Sequence, residues 1–413
     1  MATSTVVLTA TGAERDDDAL VVDPGVHLDE LDALAAELAE RRLRVVGGVA
    51  THAHWDHVLW HAGLGDVPRW ASPRTVADAE ADRADLLAEA RGTTAVDEDR
   101  FARLQPLDGP VPWSGPEVHL VVHDAHCPGH SALHVPERGV LVAGDMGSDV
   151  EVPLLAHGVP GPAALLAHHA GIDRLAAVAP VDVAVPGHGH HCDGAMWRRR
   201  LDADRAYLDD IAAGRPSHDT RLVEPWLVEA DEAMRAALTK PEWRRWAHAL
   251  PPVGAAGQAV VARLAGFLGD RPGVVGAYVA LPDEVDLEPL LEAVDADVFA
   301  LPRLGDDGIV TWHADVGGRE LHHLGIAQPG VDAPPVDPAE LDVLLVPGRL
   351  FDRLGIRLGR GGGHYDRVVP RLRPGVPAVG VTVDERIVPR LPTEDHDAPM
   401  THLATQSGVS AVG

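Results

Sequence analysis

Residues 51–57 read THAHWDH and place His52, His54, Asp56 and His57 within six positions. Imidazole nitrogens and carboxylate oxygens are the usual ligands of catalytic zinc, in sites that keep one position open for water. A loop presenting four such groups can feed two adjacent metals, because alternate residues of an extended segment point opposite ways. Three later segments extend the set, CPGHS with His130, VAGDMGSD with Asp145 and VPGHGHH with His188, each just after a predicted strand. With 24 histidines in the chain a lone loop histidine means little, but HxHxDH followed in order by PGH, GD and PGH is a metal-site pattern. His190 and His191 read as rim residues, and His123, His126 and His134 as solvated or supporting rather than ligating. Cys127 reads as a small packing residue.

A second concentration of chemistry lies at residues 346–367, VPGRLFDRLGIRLGRGGGHYDR. Gly361, Gly362 and Gly363 let the backbone take positive φ and approach a ligand with no Cβ in the way. Amides exposed like this form an anion-binding nest, to which Arg357 and Arg360 add charge for phosphate. No GK[ST] follows, so this is not a Walker A loop, nor is it a clean dinucleotide fingerprint. The segment ALTKPEW holds the only lysine of the chain, Lys240, among 35 lysines and arginines. Lys240 and Arg244 are four apart and share one helical face. In so arginine-biased a chain a lone lysine is chance unless its surroundings give it work that a planar fork does poorly.

These groups need elements to hold them. ALVVDPG (19–25) reads as a strand entering a turn, and LDELDALAAELAERR (28–42) as an amphipathic helix. LRVVGGVA (43–50) is a buried strand that delivers the histidine loop. Further strands are expected at 117–123, 139–144 and 181–185, and helices at 75–91, 161–178 and 196–213. After a polar stretch and an acidic helix at 223–238, TKPE (239–242) predicts a helix start, with Thr239 as cap and Glu242 reaching back. The expected domains are 1–235 and 236–413, since 413 residues are more than one hydrophobic core usually serves. In the second, VVGAYVAL (274–281), DVFALPRL (297–304), LDVLLVPG (341–348) and VPAVGVTV (376–383) alternate with helical patterns such as LEPLLEAV (287–294). That is an α/β pattern with a mostly parallel sheet. A net charge of −28 argues against a nucleic-acid partner. No stretch approaches the roughly 20 apolar residues of a membrane span. Two cysteines make no disulfide framework and the N-terminus lacks a signal-peptide pattern, so the cytoplasm is the expected compartment.

The first set of motifs closely resembles that of the metallo-β-lactamase-fold hydrolases, over about residues 1–232. The resemblance implies an αββα sandwich with two zinc ions, or other divalent transition metals, at its edge. His52, His54 and His130 would hold one metal, Asp56, His57 and His188 the other, with Asp145 bridging and catalytic. A water activated between them would attack a small ester, thioester or lactone.

The second set, over roughly residues 236–413, resembles the 5-formyltetrahydrofolate cyclo-ligases, also called methenyltetrahydrofolate synthetases, whose pattern is PGxxFDxxGxRLGxGxGYYDR. The family's KxxxR appears as KPEWR, so Lys240 and Arg244 would reach ATP phosphates and count as catalytic. Arg357, Leu358, Gly359, Arg360, Gly361, Gly362, Gly363, His364 and Tyr365 would complete the ATP site. Glu284 in ALPDEVDLEPLL, with Arg360 and His364, would bind 5-formyltetrahydrofolate, and Asp366 with Asp397 in LPTEDHDAP would hold Mg2+. The implied reaction uses MgATP to phosphorylate the formyl oxygen, after which N10 attacks, the ring closes and phosphate leaves. Two positions depart from the pattern: YY is His364-Tyr365, and IxEP is IAQP with Gln328, which predicts reduced or altered activity. The expected protein is a two-headed enzyme acting on small molecules. The alternative keeps the hydrolase and makes the second domain a non-catalytic folate- or nucleotide-binding sensor.

Overall fold

The computed structural model describes residues 3–305, 308–323 and 325–412. The chain divides into two compact units, Met1–Ile211 with Pro216–Ala237, and Ala212–Arg215 with Leu238–Gly413.

The first unit is an αββα sandwich. One five-stranded sheet runs in the order β1 (Val6–Thr9), β2 (Asp18–Val22), β3 (Arg44–Val49), β4 (Arg69–Ala71) and β5 (Gln105–Pro106). The other contains β6 (His119–Val122), β7 (Ser131–Val135), β8 (Val140–Gly144), β9 (Val183–Pro186) and β10 (Cys192–Asp193), ordered from β10 to β6. Leu20, Val22, Val49 and Trp70 of the first sheet pack on Leu133, Val135 and Val142 of the second to make the central core. Val21 points the other way, onto Leu38 of α1 (Leu28–Glu40). The 75–91 helix proves to be two, α2 (Pro73–Ala81) and α3 (Arg83–Thr93), because Asp82 leaves the helical conformation at φ −100°, ψ 11°. The unit is completed by α4 (Gly161–Ala176), α5 (Gly194–Ala212) and α6 (Pro225–Ala236).

The second unit opens with α7 (Lys240–His248). Thr239 precedes it in extended conformation, but the predicted reciprocal cap does not form. Glu242 pairs instead with Arg245 one turn on. Helices α8 (Ala256–Leu268), α9 (Glu288–Ala293) and α10 (His364–Val368) accompany a seven-stranded sheet. Its strands are β11 (Val274–Gly276), β12 (Val298–Leu304), β13 (Val310–Ala314), β16 (Val343–Pro347), β19 (Ala378–Val381), β21 (His402–Thr405) and β22 (Gly408–Ala411). The order is β13-β12-β11-β16-β19-β21-β22, parallel throughout except for the outermost pair at each edge. Two small sheets complete it, β14 (Glu320–Leu321) with β15 (Ala327–Gln328), and β17 (Leu350–Asp352) with β18 (Arg357–Leu358) and β20 (Ile387–Val388). The core strands are apolar on both faces, as a covered parallel sheet requires. Val343 and Leu345 join Val260 and Leu264 of α8, while Leu344 and Val346 join Phe351 and Val368. The predicted strand 274–281 ends early, at Gly276. Its continuation leaves the sheet, and the buried Tyr278 hydroxyl donates to the Val285 carbonyl at 3.0 Å.

Candidate active sites

In the first unit the C-terminal ends of β3, β8 and β9 bring their following loops together. Gly144 has φ +56°, and a Cβ there would stand 2.4 Å from His130 Nε2. A Cβ on Gly187 would stand 2.1 Å from Asp145 Oδ1. Only glycines let these loops close around the carboxylate.

One ligand atom each from His52, His54, His126 and Asp145 lie within 4.8 Å of one another, and so do those of Asp56, His57 and His188. Asp145 stands between the groups: its Oδ1 is 3.2 Å from His57 Nε2, and its Oδ2 is 3.5 Å from His52, 3.4 Å from His126 and 3.3 Å from His188. His126 Nε2 also lies 3.0 Å from His54 Nδ1. This corrects the sequence reading at two positions. His126, read there as a supporting residue, stands with His52 and His54. His130, read as a ligand, sits behind Asp145, whose N–H donates to His130 Nε2 at 3.1 Å.

The donors suit divalent cations. The buried Nε2 of His52 and Oδ1 of Asp145 have no hydrogen bond, a costly state that a cation relieves. Burial holds His52 well below the ordinary imidazole pKa and His126 at about 3, so both present neutral nitrogen. Burial alone would raise Asp56, but the charge of His57 prevails and holds it at about 2. Burial would lower His188, but its hydrogen bond with Asp145 raises it to about 9, so metal binding there is linked to proton release.

A further residue escaped the sequence reading. Asp23, 1% exposed, accepts the Thr51 N–H at 2.9 Å and the Thr51 hydroxyl at 2.7 Å, and lies 2.9 Å from His57 Nδ1. A carboxylate on the far ring nitrogen fixes which nitrogen of His57 faces the centre. Its signal was the acid of VVDPG at a strand end, next to the strand that carries the histidines.

In the second unit a cavity of about 560 Å³ is lined by the apolar Leu304, Val310, Trp312 and Ile326 and by charged residues. Lys240 Nζ lies 2.7 Å from Asp397 and 3.1 Å from Glu394. Arg244 Nε–H donates to the Gly359 carbonyl at 3.2 Å. Gly361 and Gly363 take φ of +100° and +63°, which explains the glycine run. Arg357 lies 3.0 Å from Asp366 and 5.2 Å above the Tyr365 ring, and Arg360 pairs with Asp283. Glu284 lines the cavity, accepts the Leu281 N–H at 3.0 Å and has its pKa raised by burial. Leu358 is the exception among the expected ATP residues. Its side chain is 1% exposed, strand pairing sets it in the core, and it does not line the cavity.

The 5-formyltetrahydrofolate cyclo-ligase family model matches residues 232–406. The chain is 40% identical over 86 residues to a Mycolicibacterium smegmatis 5-formyltetrahydrofolate cyclo-ligase, a match covering 20% of this chain and 43% of that protein. It is 32% identical over 144 residues to the Escherichia coli (strain K12) 5-formyltetrahydrofolate cyclo-ligase, covering 33% of this chain and 79% of the relative. The chain belongs to the 5-formyltetrahydrofolate cyclo-ligase family. Its N-terminal part matches the metallo-beta-lactamase superfamily model over residues 2–188. The Rhodobacter capsulatus hydroxyacylglutathione hydrolase is 28% identical over 237 residues, 52% of this chain and 81% of that protein. Both parts thus match enzyme families, a metallo-beta-lactamase-fold hydrolase followed by a cyclo-ligase.

The two departures from the cyclo-ligase pattern have structural settings. Gln328 Oε1 accepts the Leu304 N–H at 3.0 Å while its Nε2 donates to the Leu304 carbonyl at 3.4 Å. A carboxylate could satisfy only the first. His364 Nδ1 accepts from Arg367 at 3.0 Å, because a guanidinium only donates, so its Nε2 carries the proton. No helix among the described residues is long and apolar enough to cross a membrane.

Proposed function

We propose that the cyclo-ligase unit converts 5-formyltetrahydrofolate to 5,10-methenyltetrahydrofolate with MgATP. The observation that carries this reading is the place of the only lysine: Lys240 lines the cavity that Arg244 and Gly361–Gly363 also line. Lys240, Arg244, Arg357 and Arg360 neutralise and orient the triphosphate, Glu284 and His364 receive the folate ring, and Asp366 and Asp397 hold Mg2+. Bound Mg2+ supplies charge stabilisation at the transferring phosphoryl group, and the protein's share is positioning. The apolar wall of Leu304, Val310 and Trp312 excludes water that would hydrolyse the activated formyl group.

The test follows the conversion by absorbance with the purified chain and MgATP. Turnover is expected, and Lys240→Ala is expected to lower kcat by about 100-fold or more, the usual cost of one donor aimed at developing charge. Folate and nucleotide binding without turnover in the parent would favour the sensor alternative. The bonding of Gln328 to Leu304 gives that alternative its footing, since both ends of the amide are occupied by the backbone.

For the first unit the reading is hydrolysis of a small ester, thioester or lactone at a two-metal centre. His52, His54, His126 and Asp145 would hold one cation, and Asp56, His57 and His188 the other, with Asp145 within reach of both groups. Two divalent ions held there would supply Lewis acidity and lower the pKa of a water. The Rhodobacter relative's name makes hydroxyacylglutathione the first substrate to assay.

A further inference from the structure

Among the charged residues lining the cyclo-ligase cavity, two bases that would face phosphate are already engaged. Lys240 lies 2.7 Å from Asp397, with side chains 12% and 8% exposed. Arg357 lies 3.0 Å from Asp366, with side chains 8% and 12% exposed. All four residues line the cavity. A phosphate entering alone must compete with a carboxylate for the same donors, where little solvent screens the contest. Both carboxylates are anchored near the same short loop. The Glu394 N–H donates to Asp397 Oδ2 at 2.7 Å, and the Ala398 N–H reaches Asp366 Oδ1 at 3.5 Å. Carboxylates suit a hard divalent cation, which commonly binds through one or two of them plus phosphate.

We propose that this pocket takes up nucleotide and divalent cation by exchange: Asp397 and Asp366 give up Lys240 and Arg357 for the cation, and the two released side chains turn to phosphate. The proposal rests on the reading of this cavity as a nucleotide site. Each ligand then clears the way for the other, and by linkage their affinities rise together. Removing a carboxylate has an unusual consequence. It weakens the site for the cation but strengthens it for the nucleotide alone, because the paired base loses its buried carboxylate and Lys240 keeps only the exposed Glu394 at 3.1 Å.

The experiment is calorimetric titration of ATP into the purified full chain, in EDTA and then in Mg2+. The parent is expected to bind ATP more weakly in EDTA by about 100-fold, two freed ion-pair donors at roughly tenfold each. Asp397→Asn and, separately, Asp366→Asn are expected to tighten metal-free ATP by about tenfold. Asp395→Asn removes the same charge from an exposed neighbour and is expected to change metal-free binding by less than about twofold. The proposal is overturned if folded Asp397→Asn and Asp366→Asn bind metal-free ATP no better than the parent. It is equally overturned if Asp395→Asn tightens binding as much, since general charge removal then explains the gain. A parent that binds ATP in neither condition removes the nucleotide-site reading itself.

Discussion

Asp145 meets His126 through its carboxylate, at 3.4 Å, and His130 through its backbone N–H, at 3.1 Å. The two histidines are four positions apart in the chain and do different work. His126 offers a nitrogen to the centre, while His130 holds the peptide from which the carboxylate projects. His126→Ala is therefore expected to lose about one of two metal equivalents, measured by elemental analysis of zinc-loaded protein. His130→Ala is expected to keep both equivalents and weaken affinity by about 10- to 100-fold in a chelator competition, the usual cost of a supporting partner. If His130→Ala loses an equivalent and His126→Ala does not, the assignment is reversed.

At the scale of elements, the loop after β8 is clamped by Arg221, whose side chain is 9% exposed. Arg221, in the segment between α5 and α6, donates to the carbonyls of Ser148 and Glu151 at 3.0 and 3.1 Å. It also pairs with Asp204 at 2.6 Å and Asp219 at 2.8 Å. The Ser148 hydroxyl donates in turn to the His188 carbonyl at 2.8 Å, so Arg221 steadies the loops of both Asp145 and His188. Arg221→Met is expected to cost about 3–5 kcal/mol in urea unfolding, because it strands the buried Asp204 carboxylate. Adding Asp204→Leu is expected to recover much of that loss, since a matched apolar pair avoids the desolvation penalty. A near-neutral Arg221→Met would show that the loop holds its shape without the clamp.

At the scale of the whole molecule, acid acts through the buried histidines. His123, His130 and His168 lie outside the proposed ligand set, and burial lowers all three, His123 to about 4. A group whose folded pKa is depressed contributes stability that is full above its unfolded value near 6.5 and is lost as pH falls through the folded one. His123, at about 4 in the fold against an ordinary 6.5, is expected to carry on the order of a few kcal/mol of that dependence. Thermal melts of the zinc-loaded chain are expected to fall steadily from pH 6.5 to about 4, and His123→Leu is expected to flatten the slope. A parent melt flat over that range would mean that these histidines take up protons without unfolding.

The spacing of HxHxDH, GD and PGH declared a metal site, and PGRLFDRLGIRLGRGGGHYDR with KPEWR declared a phosphate pocket, because these are chemistries that neighbouring residues must share. Alternating apolar strands and amphipathic helices declared the layers, since periodicity reports which face is buried. Three things were decided only when the chain closed. His126 rather than His130 reached the centre, because the turn between β6 and β7 directs residues four apart to different depths. Asp23 became a partner of His57 through the parallel pairing of β2 with β3. Lys240 met Asp397 across 157 positions of sequence. Local pattern is written in consecutive residues, whereas distance between remote side chains is set by packing, and that is where the charge pairing of the pocket arises.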